Sequence, residues 1–175
     1  MAQTNQLKEL TKLVSPVNGV IILTEDSDDI ALSASRDMAA KLAALNAVPL
    51  TLYYRSEETW ADTPHPEGPL KIDDSRLDDV PELAMQIRQA ESLGASAQAW
   101  ISTLPVLTAI SKAIRETKAD TIISSAAMSR HLLERVLPGD SIATTIHNLL
   151  EKKDNFNGKI VEISEDGEPK MISEY

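Results

Sequence analysis

Two short stretches of the chain concentrate side chains able to do chemistry. The first is Thr24-Glu25-Asp26-Ser27-Asp28-Asp29, which holds four carboxylates within six residues. Carboxylates this close together can attract Mg²⁺, and they equally suit the positive end of a following helix. The second stretch runs from Ser124 to Ser141. It contains Ser124-Ser125-Ala126-Ala127, then Ser129 and Arg130, then Gly139-Asp140-Ser141. Its hydroxyls can donate to an anion, and Arg130 can pair with a phosphate.

Other chemistries find less support. The three histidines are scattered, with His65 set between Pro64 and Pro66. His131 and Glu134 are one helical turn apart, as metal ligands are, but no third ligand lies near in sequence, so surface positions are expected for them. There is no cysteine, which excludes disulfides, thiolate metal sites and cysteine nucleophiles. No Walker loop, dinucleotide fingerprint or nucleophile elbow occurs. The expectation is a protein without a catalytic constellation and without a metal. Trp60 and Trp100 are candidate core or interface anchors.

The elements that must position these groups can be read from hydrophobic periodicity. Residues 3–14 form an amphipathic helix pattern, closed by Ser15-Pro16. Short apolar runs follow at Gly19–Leu23, Val48–Tyr54, Ala95–Ser102, Asp120–Ser124 and Lys159–Ile163. Continuous apolar runs of this length suit strands buried on both faces of a parallel sheet. Between them lie helical patterns. One carries Ile30, Ala34, Met38, Leu42 and Leu45, with Ser27 or Asp28 as its cap. A second, from Asp79 to Ser92, carries Leu83, Ile87 and Ala90 and is closed by Gly94. A third, capped by Thr103, turns Leu107, Ile110 and Ile114 to the sheet, and a fourth begins at Asp140 with Ile142, Ile146, Leu149 and Leu150. Asp166-Gly167 turns the chain so that Lys170–Ser173 can return as a sixth, antiparallel strand.

Strands alternating with helices predict an α/β chain: a single doubly wound three-layer α/β/α domain with a five-stranded, mostly parallel sheet. Residues 1–16 are expected as a helical extension and 17–175 as the α/β domain. Within the latter, 55–77 reads as an irregular insertion rich in proline and acid, and 159–175 as a C-terminal strand or hairpin. In such a sheet, ligands bind beyond the carboxyl ends of the strands where the strand order reverses. That rule favours the two polar stretches.

The run VIILTEDSDDIALSASRDMAAKLAALNAVPLTLYYR resembles the opening of a universal stress protein, and ADTIISSAAMSRHLLERVLPGDSIATTIHNLL resembles that family's C-terminal half. The likeness spans roughly residues 17–150 and rests on order and spacing. It implies a UspA-like stress protein of the cytoplasm that forms a homodimer, often through its last strand. It also implies a nucleotide site, where ATP or AMP, with Mg²⁺, would meet Glu25, Asp26, Ser27, Arg55, Ser124, Ser125, Arg130, Gly139 and Ser141. The family's nucleotide binders carry Gly-x-x-Gly after the fourth strand, and this chain has Ser124-Ser125-Ala126-Ala127. An alanine methyl occupies space a phosphate oxygen needs, and alanine resists the left-handed backbone that glycine accepts. Asp140, between Gly139 and Ser141, adds a carboxylate that repels phosphate. Arg55 stands where the family presents an apolar residue to adenine.

The formal net charge of −10 disfavours nucleic acid and anionic membranes, and the N-terminal residues show no secretory apolar core. Two functions fit these residues. One is a non-catalytic regulatory or interaction protein of the stress response, with a degenerate nucleotide motif. The other is an ATP- or AMP-binding protein with little or no hydrolysis.

Overall fold

The computed structural model describes residues 2–25, 29–55, 68–102, 106–128, 144, 146–147, 150 and 156–172. The elements are α1 (Ala2–Val14), β1 (Val20–Thr24), α2 (Ile30–Asn46), β2 (Pro49–Arg55), α3 (Pro81–Ser92), β3 (Ser96–Ser102), α4 (Val106–Thr117), β4 (Thr121–Ser125), β5 (Lys159–Ile163) and β6 (Pro169–Met171). One six-stranded sheet runs in the order β3-β2-β1-β4-β5-β6. The first five strands are parallel, and β6 returns antiparallel to β5, with Glu162 opposite Lys170. The expected three-layer α/β/α architecture is present. The sixth strand adds a hairpin to the five-stranded sheet.

Every residue of β1 is buried, as its unbroken apolar run requires. Alternation along the strand separates two cores. Val20 and Ile22 pack with α1, α2 and α3, whereas Ile21 and Leu23 pack with α4 and with the helical residues Ile146 and Leu150. Successive strands step first one way from β1 and then the other, so right-handed crossovers put α2 and α3 on one face and α4 on the opposite face. Trp100 lies in the second core, 1% exposed. Trp60 lies outside the described residues.

The helix after β1 is turned relative to the stripe read from sequence. Leu32, Ser35, Met38, Ala39, Leu42 and Ala43 face inward, while Ile30 is 86% exposed and Leu45 66% exposed. The packing face centres on Ala39, Ala40 and Ala43, all fully buried. Alanines let a helix approach a sheet closely, and at 100° per residue that choice swings Ile30 and Leu45 outward. The cap also differs from the expectation. Asp29, rather than Ser27 or Asp28, accepts the N–H groups of Ala31 (2.8 Å) and Leu32 (3.1 Å). Its carboxylate satisfies donors that the first turn leaves over. The α3 stripe of Leu83, Ile87 and Ala90 is buried as expected, and Gly94 takes a positive φ of 97° just beyond the helix. In α4, Ile110 is buried and Ile114 packs against the core. The side chain of Leu107 and the caps expected at Thr103 and Asp140 lie outside the described residues.

Both sheet edges carry cover. Leu70 exchanges two backbone hydrogen bonds with Ala99, each 2.8 Å, on the outer side of β3. The segment therefore returns to the sheet before the short 3-10 turn Ser75–Asp79. At the other end, β6 pairs with β5, and Leu10 and Val14 of α1 are buried in the first core. Among the described residues no helix is long and apolar enough to cross a membrane.

Two tests follow from these local structures. Asp29→Ala should cost about 1 kcal/mol, read as a lowered urea midpoint with unchanged m. An unchanged midpoint would remove Asp29 as the cap. Asp74 accepts Arg76 Nε (2.9 Å), Nη2 (2.7 Å) and backbone N (3.0 Å), and these bonds hold its carboxyl down at about 2. A lowered carboxyl contributes stability above its unfolded value, and the contribution is lost as pH falls through the folded one. The site is exposed, so screening keeps that contribution small. NMR should find the Asp74 titration near 2, rising toward ordinary aspartate in Arg76→Gln.

Candidate functional site

The strand order reverses between β1 and β4, so the crossovers on either side diverge and leave a crevice at the carboxyl ends of these two strands. β1 reaches the crevice with Thr24 and Glu25, and β4 reaches it with Ser124 and Ser125. Of the residues singled out in the sequence, these are the ones whose side chains can be placed. Arg55 closes β2, opposite Ser102 in the register, and its side chain lies outside the described residues. Asp26, Ser27, Arg130, Gly139 and Ser141 also lie outside them, as do His65 and His131.

On β4, Ile122 faces the α4 core and Ile123 the α2 core. Alternation then directs Ser124 to the α4 side and Ser125 to the α2 side. Ser124 is 1% exposed, and its Oγ finds no hydrogen-bond partner among the described residues. Its register neighbour on β5 is Glu162, which puts a carboxylate beside it on the same face.

The chain beyond β4 makes a tight turn whose donors are spent internally. Ala126 N donates to Ile163 O (2.8 Å). Ala127 N donates to Ser125 Oγ (3.2 Å), and Met128 N donates to Ser125 O (3.1 Å). Neither Ala126 nor Ala127 has a positive φ. A phosphate cradle needs successive N–H groups pointing outward, with glycine supplying the left-handed residues. Here three consecutive N–H groups point at acceptors of the chain itself.

At the end of β1 a polar group joins three elements. Thr24, fully buried, donates from Oγ1 to Gln86 Oε1 at 2.7 Å and accepts from Arg36 Nη1 at 3.3 Å. Gln86 Nε2 in turn donates to Glu25 O at 3.2 Å. Gln86 thus holds the exit of β1 at two points, from α3. Burial pulls the Arg36 guanidinium below its ordinary value, against Asp37 and Glu25, whose charges push it up. Sequence reasoning singled out Thr24 but missed Arg36 and Gln86. The signal was present: Gln86 and Arg36 are polar residues set on otherwise apolar helix faces, Gln86 beside Leu83 and Ala90, Arg36 beside Leu32 and Ala39. A polar residue on such a face implies a partner beneath it. Among the described residues no three acidic or imidazole side chains gather as metal ligands do.

The two buried hydroxyls should respond oppositely to removal. Thr24→Val strands Gln86 Oε1 and should cost about 1–3 kcal/mol in urea unfolding. Ser124→Ala removes a hydroxyl without a partner, so its expected effect lies within about 0.5 kcal/mol of zero or is stabilising. A loss of more than about 1 kcal/mol in Ser124→Ala would show that the hydroxyl is satisfied in solution.

No family model matches the chain, and no curated protein does. Solved structures do. A universal stress protein from Archaeoglobus fulgidus superposes with a TM-score of 0.52 at 11% identity, over 88% of this chain and 97% of its own. A universal stress protein in complex with cAMP gives 0.52 at 13% identity, over 86% and 99%. A universal stress protein from Archaeoglobus fulgidus in complex with dAMP gives 0.50 at 13% identity, over 83% and 95%. At such identities the likeness speaks for architecture. This chain has the universal stress protein fold.

Proposed function

We propose that the chain is a non-catalytic regulatory or interaction protein on the universal stress protein fold, acting in the stress response in the cytoplasm, and that it does not hold ATP or AMP in that family's usual manner. The observation that carries this reading is the turn after β4. The N–H groups of Ala126, Ala127 and Met128 bond to Ile163 O, Ser125 Oγ and Ser125 O. An incoming phosphate would have to break these bonds, at about 0.5–1.5 kcal/mol each, before it gained any. It would also approach Glu162, the register neighbour of Ser124.

Function then rests on surfaces. A homodimer through the C-terminal edge would have to pair along β6, where Pro169 lacks an N–H and Lys170 adds charge. Both residues discourage strand addition, so the proposed contacts lie on helical faces.

A second reading, binding of ATP or AMP with Mg²⁺, is favoured by one observation. Ser124 Oγ is a buried donor without a partner among the described residues, at the strand-order reversal, the place where a polar ligand atom would satisfy it. The fold relatives bound to cAMP and dAMP agree with that alternative.

Thermal unfolding with ATP, AMP and Mg²⁺ separates the two. The first reading expects no saturable shift at millimolar nucleotide. A ligand at 100 times its Kd adds about 2.7 kcal/mol, which for a domain of this size is a shift of several degrees. A saturable shift of that size, abolished in Ser124→Ala, would overturn the first reading in favour of the second.

A further inference from the structure

A groove of about 640 Å³ lies on the α1 and α2 side of the sheet, beside the end of β5. Its walls are the first half of α1, the outward stripe of α2 and the turn that joins β5 to β6. α1 and the hairpin both lie outside residues 17–150, the stretch that resembles the universal stress proteins. The groove therefore forms where these two segments meet α2, which lies inside that stretch.

Three properties define what it can hold. Its floor is apolar: Leu7 of α1, Ala34 and Met38 of α2, and Ile163 of β5. Its rim is acidic, with Asp29, Asp37, Glu165 and Asp166 against one lysine, Lys41. At the α2 end stands Ile30, 86% exposed, the most exposed large apolar side chain described. The rotation of α2 that buries Ala39 and Ala43 turns Ile30, Ala34, Asp37 and Lys41 onto this one side.

The walls are braced before any partner arrives. Gln6 Nε2 donates to Asp166 O at 2.9 Å, joining α1 to the hairpin turn. Gly167 sits at φ 88° against that glutamine, where an added Cβ would come within 2.7 Å of Gln6 Oε1. Ser164 closes the turn from within, accepting Glu168 N on its Oγ (3.0 Å) and Gly167 N on its carbonyl (2.9 Å). A preformed groove spares a partner the cost of ordering it.

From the apolar floor, the acidic rim and the exposed Ile30, we infer that this groove docks a basic amphipathic peptide segment of a partner protein, with an apolar anchor on Leu7, Met38 and Ile163 and flanking Lys or Arg side chains against Asp37, Glu165 and Asp166. The inference rests on the reading of the chain as an interaction protein and names the chemistry of its partner. The net charge of −10 steers such a segment toward the surface, and the apolar floor retains it. A second copy of this acidic chain lacks the required charge.

The test is fluorescence anisotropy with a labelled peptide of leucine and lysine at helical spacing, against a scrambled peptide of identical composition. The patterned peptide should bind more tightly than the scrambled one. Asp37→Lys combined with Glu165→Lys should weaken it about tenfold or more. Reversal of two carboxylates on other elements, Asp78→Lys with Glu91→Lys, changes net charge equally and should alter affinity by no more than about twofold. Ile30→Ser should weaken binding without altering the circular dichroism spectrum. Equal losses from both reversals, or equal binding of the scrambled peptide, would reduce the effect to bulk charge and overturn the proposal. Unchanged affinity in Ile30→Ser together with Met38→Ser would overturn the apolar anchor. None of the substituted residues belongs to the β4 turn. A groove that binds nothing therefore leaves the nucleotide result standing, and a nucleotide shift leaves the groove result standing.

Discussion

The placement of β1 constrains everything else. It lies between β2 and β4 with all five of its residues buried, so both its faces must be covered and both its edges paired. A strand in that position cannot shift by one residue without exchanging its two cores. Val20 and Ile22 would then leave the α2 side for the α4 side. The register therefore fixes where Thr24 emerges, and Thr24 fixes Gln86 and, through it, the carbonyl of Glu25. The crevice inherits its geometry from the most buried strand.

The same constraint explains what could be read in the residues and what could not. Buried strands announce themselves, because a strand covered on both faces has no polar positions to blur its limits. All five parallel strands lie within a residue or two of the apolar runs. The amphipathic helices were harder. In α2, apolar and small residues surround much of the helix, so periodicity alone offered several faces. The decision belongs to packing distance, which favours the alanines and turns Ile30 outward. Asp29 capped the helix in place of its neighbours because the cap is set by where α2 begins, and an acidic run offers several equivalent caps. The alanines after β4 were legible in type. Where the N–H groups of that turn point was not, because Ile163, which accepts one of them, is remote in sequence.

Among the described residues, the crevice combines a turn whose donors are spent with the unpartnered hydroxyl of Ser124. In the turn after β4, alanine backbones adopt ordinary conformations and donate to the Ile163 carbonyl and the Ser125 hydroxyl, so little strain is stored there. Ser124 is the exception, a polar group in a core position. Natural cores tolerate few such groups, which is why it draws the alternative reading. The contrast with Thr24 is instructive. Both are hydroxyls at adjacent strand ends, both are buried, yet one is bound into a three-element network and the other has no partner among the described residues. Sequence would rank them alike.

The bridge between Leu70 and Ala99 has a further meaning. Arg55 is held in β2 opposite Ser102, and Leu70 is held on β3 opposite Ala99, three residues along the same strand. The described chain is thus anchored to the sheet on both sides of residues 56–67, at one corner. For a connection whose ends are already held, each doubling of length adds only about 0.6 kcal/mol of closure entropy. That corner can accept longer or shorter sequences at little thermodynamic cost, which makes it a natural place to graft a foreign peptide or an inserted domain.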